Sequence, residues 1–181
     1  VQSPREYTRG VPKMQERRLK KKQASQSSQE KITYLADRQV YQARSQLKNY
    51  MITDEQKEKL IQEAVLALKN CYPKDSKYSY AAAVLTESGG IYSAASYDSD
   101  TGSLTLHGGQ STLAHAAAHG DGTIHVMAVT SNEKLSKGEF TAPCHMCKQL
   151  LWESRLRSQV PLLIILANNY GETKEVYIDD L

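Results

Sequence analysis

"LTLHGGQSTLAHAAAHGDG", residues 104–122, decides how the rest of this chain is read. Small, mostly apolar residues run from Gly108 to Ala118 and Gly120 supplies a stop, so the stretch predicts a short helix over 108–119 entered by His107. A histidine placed two residues before a carboxylate at a helix start is the front half of a zinc hydrolase site. Here the second position after His107 is Gly109, which carries no acid.

Hydrophobic periodicity organises the chain on either side. Upstream, "YSYAAAVLT" at 78–86 and "GIYSAAS" at 90–96 read as strands joined through Glu87, Ser88, Gly89 and Gly90 into a hairpin. Before them, Thr53 and Gln56 form a capping-box pattern, and Leu60, Ile61, Ala64, Val65 and Leu68 continue one helical face until Pro73. Downstream, "TIHVMAVT" at 123–130 reads as a strand with His125 inside it. A helix follows Pro143, with Leu150, Leu151 and Leu156 apolar and Lys148, Glu153, Arg155 and Arg157 polar. "PLLIILA" at 161–167 reads as a strand buried on both faces. "NNYGET" at 168–173 then leads to "KEVYID" at 174–179 through a turn too short for a parallel crossover, so the last strand pair is antiparallel. The element order predicts a helix-covered mixed sheet of about five strands.

The N-terminal third is different. Residues 1–29 are rich in Gln, Ser, Lys and Arg, with Arg5, Arg9, Lys13, Arg17, Arg18, Lys20, Lys21 and Lys22 against Glu6 and Glu16. Such a segment cannot repay its own ordering entropy. From Glu30 to Met51, Ile32, Leu35, Gln39, Ala43, Leu47 and Tyr50 recur near helical spacing and leave a narrow apolar stripe that needs a partner surface. Residues 1–51 are therefore read as a basic tail and amphipathic helical extension, and 52–181 as the compact domain.

The 181 residues, 40% hydrophobic, suffice for one sizeable core. A net charge of +3 is too small to imply nucleic-acid binding, although the basic end could meet nucleic acid or a protein partner. Three cysteines are an odd number, and two of them lie in "PCHMC" at 143–147, so metal ligation in a reducing, intracellular and cytoplasmic setting is expected over a disulfide framework. Cys71 reads as a core thiol. No apolar run approaches a membrane span, so no membrane partner is expected. The first residue is Val1 and not methionine, as expected of a processed or excised piece.

"APCHMCKQL" at 142–150 places Cys144 and Cys147 at a helix start, where backbone N–H groups favour thiolates. Two thiolates and one imidazole balance a divalent zinc and leave its fourth position open. The histidines available are His107, His115, His119, His125 and His145. His145 lies between the cysteines and His125 lies mid-strand. His115 and His119, four apart on one helical face, could bind metal as a pair, but no acid completes a metalloprotease motif around them. His107 is the preferred third ligand.

"LHGGQSTLAHAAAHG" followed by "PCHMC" is similar to the zinc deaminase signature, H-x-E followed by P-C-x-x-C. "SKYSYAAAVLTESGGIYSAASYD" at 76–98 resembles the opening strands of the cytidine deaminase family, and "CHMCKQLLWE" and "KEVYIDDL" resemble its cysteine helix and closing segment. The likeness covers about residues 54–181. It implies a cytidine deaminase-like three-layer α/β/α fold with a mixed five-stranded sheet. It also implies Zn2+ held by His107, Cys144 and Cys147, with the metal activating water against C4 of cytosine. The ribose-holding Asn and Glu of the family fall on Ser96 and Asp98, and the aromatic beside the base on Tyr78, with Tyr80 as a lesser candidate. The proton-shuttling Glu falls on Gly109, so the chain as written is expected to be inactive. The resemblance thus implies a deaminase of a cytosine-containing nucleoside or nucleotide inactivated at position 109, working as a homo-oligomer. Two alternatives stand beside it: a natural deaminase-fold protein that binds or scaffolds without turnover, and a nucleic-acid cytidine deaminase.

Overall fold

The computed structural model describes residues 52–181. The basic tail and the striped segment of residues 30–51 lie outside the described residues.

Thr53 opens the first helix, α1 (Asp54–Ala67), as its sequence suggests. Its hydroxyl accepts from Gln56 N at 3.1 Å while Gln56 Oε1 accepts from Thr53 N at 3.1 Å, which satisfies two orphan donors reciprocally. The α-helix stops at Ala67, with one 3-10 turn over Leu68–Asn70 completing the approach to Pro73. Strands β1 (Tyr80–Thr86) and β2 (Ile91–Ala95) form the expected hairpin, turning at Gly89 with φ of +88°. Helix α2 (Gly108–Ala118) precedes β3 (Ile124–Ser131), α3 (His145–Ser158), β4 (Leu163–Ala167) and β5 (Thr173–Tyr177). The strands run β2-β1-β3-β4-β5, with β3 and β4 parallel and every other pair antiparallel. The last pair is antiparallel, as the short turn requires.

Two apolar layers enclose this sheet. On one face Leu60 and Ala64 of α1 pack with Ala83, Leu85, Val126, Ala128 and Ile165. On the other, Ala116 of α2 and Leu151 of α3 pack with Ala82, Val84, Met127, Val129, Ile164 and Leu166. Alternate residues of β1, β3 and β4 thus serve opposite layers, which gives the three-layer α/β/α arrangement. Ile124 and Val126 serve opposite layers despite their spacing of two. The register shifts where Leu85 and Thr86 face Val126 and Ile124, leaving His125 as an extra residue in a bulge. That is why a histidine sits mid-strand at 4% exposure.

Ala82 of β1 lets α2 come close. Thr112, fully buried, donates from Oγ1 towards Ala82 O at 3.0 Å and Gly108 O at 2.8 Å, pinning α2 to the sheet backbone. At the other side, Arg155 of α3 makes a two-pronged ion pair with Asp179 in the closing 3-10 turn. Among the described residues no helix is long and apolar enough to cross a membrane.

Candidate metal centre

α2 and α3 both begin at the end of the sheet where β1 starts and β3 finishes. His107 is the N-cap of α2, and Cys144 is the N-cap of α3 with Cys147 in its first turn. The chain reaches His107 through a short two-way bridge, Tyr97 N to Leu106 O at 2.8 Å and Leu106 N to Tyr97 O at 2.9 Å, which returns the 98–105 loop beside β2. His107 N donates to Gln110 Oε1 at 2.8 Å, so the first turn of α2 holds its own cap.

His107 Nδ1 lies 3.0 Å from Cys144 Sγ and 3.7 Å from Cys147 Sγ, and the three donor atoms lie within 4.8 Å of one another. A tetrahedral zinc with Zn–S near 2.3 Å and Zn–N near 2.0 Å separates its ligand atoms by about 3.5–3.8 Å. The donor set has the chemistry for that ion, with the His107–Cys147 separation at its value and the His107–Cys144 separation shorter. Burial pushes the Cys147 thiol up, to about 12, and the Cys144 sulfur beside it adds to the effect; the Gln110 backbone N–H works in the opposite direction. A buried thiol that resists ionisation needs a nearby cation to become a thiolate.

Next to these donors opens a cavity of about 450 Å³, within the range of small-molecule sites. Tyr80, Ser96, Asp98, Thr105, Glu133 and Thr141 give its wall polar character, while Met127, Val129, Leu135, Phe140 and Leu151 make the apolar side. His107, Gly109, Cys144 and Cys147 form its metal end. Asp98 Oδ2 accepts from Ser76 Oγ at 2.5 Å. Ser96, 2% exposed, has its hydroxyl 3.1 Å from Cys71 Sγ, so this group also serves the framework. Burial first, then the charges of Glu133, Tyr78 and Asp98, hold the Tyr80 phenol in its neutral form beyond the usual range. The wall takes Tyr80 and not Tyr78, which is 44% exposed and stacks under the Lys77 ammonium outside the cavity. His115 and His119 lie on the outward side of α2 against Tyr92, away from the cysteines.

Sequence reasoning missed the cavity's third side, the loop over 132–143 that joins β3 to α3. Its start is fixed by Asn132, whose backbone N donates to Ser79 O and whose Oδ1 accepts from Ser79 N. The β4–β5 turn clamps the remainder. Asn169 Nδ2 donates to Glu133 O at 2.9 Å, Tyr170 Oη to Leu135 O at 3.2 Å, Asn168 Nδ2 to Glu139 O at 3.2 Å, and Gly138 N to Glu172 Oε2 at 2.8 Å. Periodicity carries no trace of such contacts, because they join polar loop residues about thirty positions apart.

The adjacent glycines differ in what they owe the fold. A Cβ on Gly108 would lie 2.6 Å from Tyr80 O and 2.8 Å from Ala81 Cα, so only glycine lets α2 enter against β1. A Cβ on Gly109 would meet Cys147 Sγ at 3.6 Å and Met127 Sδ at 3.9 Å, ordinary contacts beside the metal end. Packing demands glycine at 108 and does not demand it at 109.

Similarity to known proteins bears on this region of the chain. The family model for the "Cytidine and deoxycytidylate deaminase zinc-binding region" matches residues 54–163. The cytidine deaminase of Burkholderia pseudomallei superposes with a TM-score of 0.60 at 22% identity, covering 71% of this chain and 95% of that one. The cytidine deaminase of Mycobacterium leprae gives 0.54 at 20% identity, covering 70% and 95%. That of Mycobacterium tuberculosis gives 0.52 at 23% identity, covering 62% and 85%. At these identities the structural likeness speaks for the fold.

Two outcomes follow. Gly108→Ala should destabilise the protein by about 1–3 kcal/mol, as overpacking against backbone does, whereas Gly109→Ala should be neutral or stabilising by up to about 1 kcal/mol; denaturant titration of the two variants checks the contrast. Zinc held by Cys147 would have to displace the proton of a thiol pushed up to about 12. Apparent zinc affinity should therefore rise at least about tenfold per pH unit below the thiol range, read by chelator competition. In the metal-free chain the sign is reversed: the unfolded thiol ionises near 9.0 and the folded one near 12, so stability falls as pH climbs through that window. A zinc affinity flat with pH would contradict the thiol assignment.

Proposed function

The chain belongs to the cytidine and deoxycytidylate deaminase zinc-binding family, and from that membership we propose a zinc site for hydrolytic deamination of a cytosine nucleoside or nucleotide, with Gly109 standing where the reaction needs an acid. His107 Nδ1 and the Cys144 and Cys147 sulfurs would hold the metal, the two thiolates balancing its charge. When bound, zinc supplies the Lewis acidity that lets water give up a proton near neutral pH. The observation that carries the reading is the opening of this donor set directly into a cavity of about 450 Å³.

Within that cavity the chain's own groups divide the work. Met127, Val129, Phe140 and Leu151 offer an apolar wall for the base and exclude water from it. Tyr80 offers a neutral hydroxyl, and Asp98 a carboxylate suited to accepting from sugar hydroxyls. Exchange of the ring amino group for oxygen also requires a proton relay: of the attacking water's two protons, one goes to the ring nitrogen, which keeps it, and the other to the departing ammonia. A side chain at 109 starts 3.6 Å from Cys147 Sγ and is placed to carry it, but glycine has none. The chain as written therefore binds its ligand while forgoing the ~10²–10⁴-fold that a positioned acid–base group supplies. That same glycine supports a second reading, a deaminase-fold protein that binds or scaffolds without turnover.

Gly109→Glu decides between the two. Ammonia release from cytidine, deoxycytidine or their monophosphates should rise by about 10² or more over the unsubstituted chain. Robust turnover by the unsubstituted chain would sink the role given to position 109, and silence of the Glu variant on every cytosine substrate would favour the scaffold.

Residues 1–51 we place outside the catalytic domain, as an element for self-assembly or for a partner, on the strength of their basic run and the stripe through Ile32, Leu35 and Leu47. Deleting them should leave a folded, zinc-loaded domain of altered assembly size in sedimentation. Unfolding and zinc loss in the truncated protein would move the domain boundary; unchanged assembly with lost salt-sensitive oligonucleotide binding would make the segment a nucleic-acid arm.

A further inference from the structure

Among the described residues the cavity wall carries two carboxylates, Asp98 and Glu133, and no lysine or arginine. The ion pairs among the described residues, Lys57–Glu175, Arg155–Asp179 and Arg157–Glu153, all lie elsewhere. With the two thiolates balanced by a divalent ion, the metal end is neutral and the wall retains both negative charges. Glu133 is a built feature of this wall. Its carbonyl is held by Asn169 Nδ2 at 2.9 Å and its backbone N donates to Ser131 Oγ at 3.3 Å. Its carboxylate accepts from Thr141 Oγ1 at a long 3.4 Å, which leaves most of its accepting capacity for a ligand.

We propose that Glu133, together with Asp98, selects the charge of the ligand: the cavity takes a cytosine nucleoside bearing a positively charged substituent on its sugar and turns away the phosphorylated form. This rests on the cytosine reading above and narrows it. A phosphate monoester brings a charge of about −1.5 to −2 at pH 7 and needs arginine, lysine or a free helix N-terminus to receive it. Both helix starts carry the donor residues themselves, His107 and Cys144 standing as the N-caps, and the Gln110 N–H is directed at the Cys147 sulfur. Nothing else on the wall offers a phosphate more than a threonine, serine or tyrosine hydroxyl. An ammonium or guanidinium meets the opposite situation, two carboxylates in a partly enclosed space with no competing cation among the described residues. The Tyr80 phenol, kept neutral beside both acids, can accept from the same cation.

The test is calorimetric titration of the zinc-loaded full chain with three ligands: cytidine, cytidine 5′-monophosphate, and the cytidine analogue whose 5′-hydroxyl is replaced by an amine. Because the readout is binding, it is independent of turnover. The amine should bind most tightly and the monophosphate most weakly, the two separated by at least about tenfold. Glu133→Gln should shrink that separation and Glu133→Lys should reverse the order, with zinc content measured in each variant to exclude metal loss. Monophosphate binding equal to or tighter than that of the amine, or an order unmoved by both substitutions, would overturn the charge selection while leaving the cytosine reading intact. Failure of all three ligands to bind would instead overturn the cytosine reading, and the charge selection with it.

Discussion

The start of α2 touches the backbone of β1, and the rest of the site is arranged by that contact. Gly108 leaves no room for a Cβ between itself and Tyr80 O, so the helix enters as close to the sheet as a polypeptide can come. Its N-cap, His107, is thereby carried to within 3.0 Å of the Cys144 sulfur at the start of α3. Thr112 keeps the helix at this depth by donating to the β1 carbonyl of Ala82. The small side chain of Ala82 makes the approach possible, since a larger residue there would hold the helix off the sheet. Sequence composition in one strand thus sets ligand distances across two helices.

Two helix starts meeting at one point also explain the electrostatics. The N–H groups of each first turn favour thiolates, while burial and the neighbouring Cys144 sulfur hold the Cys147 thiol protonated in the absence of a cation. A divalent ion held by both sulfurs would be balanced in charge there, and Asp98 and Glu133 are the carboxylates of the cavity wall. Gly109 borders the same space with no packing reason to be glycine. Its lack of a side chain is a chemical feature of the cavity and not a requirement of the fold.

The five strands, three helices and antiparallel ending of residues 52–181 were legible because each rests on local pattern: period-two runs in 78–96, a capping box at Thr53, a turn at 168–173 too short to cross over. The meeting of His107 with Cys144 and Cys147 was legible through the signature spacing and the family resemblance. What escaped depends on tertiary context. Tyr78 and Tyr80 both point to the same face of a strand by parity, and the strand's late start at Tyr80 leaves Tyr78 in the preceding bend, outside the cavity wall. Glu133 sits in a loop without periodicity, and its place on the wall comes from Asn132, Thr141 and the Asn168–Glu172 turn, contacts that no local window contains. The bulge at His125 likewise follows from the register of β1 against β3 and not from the β3 sequence alone.

The central claim is that one imidazole and two thiolates, brought together by the two helix starts, form a metal site with room beside it for a ligand. X-ray absorption at the zinc edge of the loaded protein tests it most directly. The account predicts two sulfur scatterers at about 2.3 Å, one imidazole nitrogen near 2.0 Å and one further light atom. A shell of four sulfurs, or of nitrogen and oxygen alone, would contradict it.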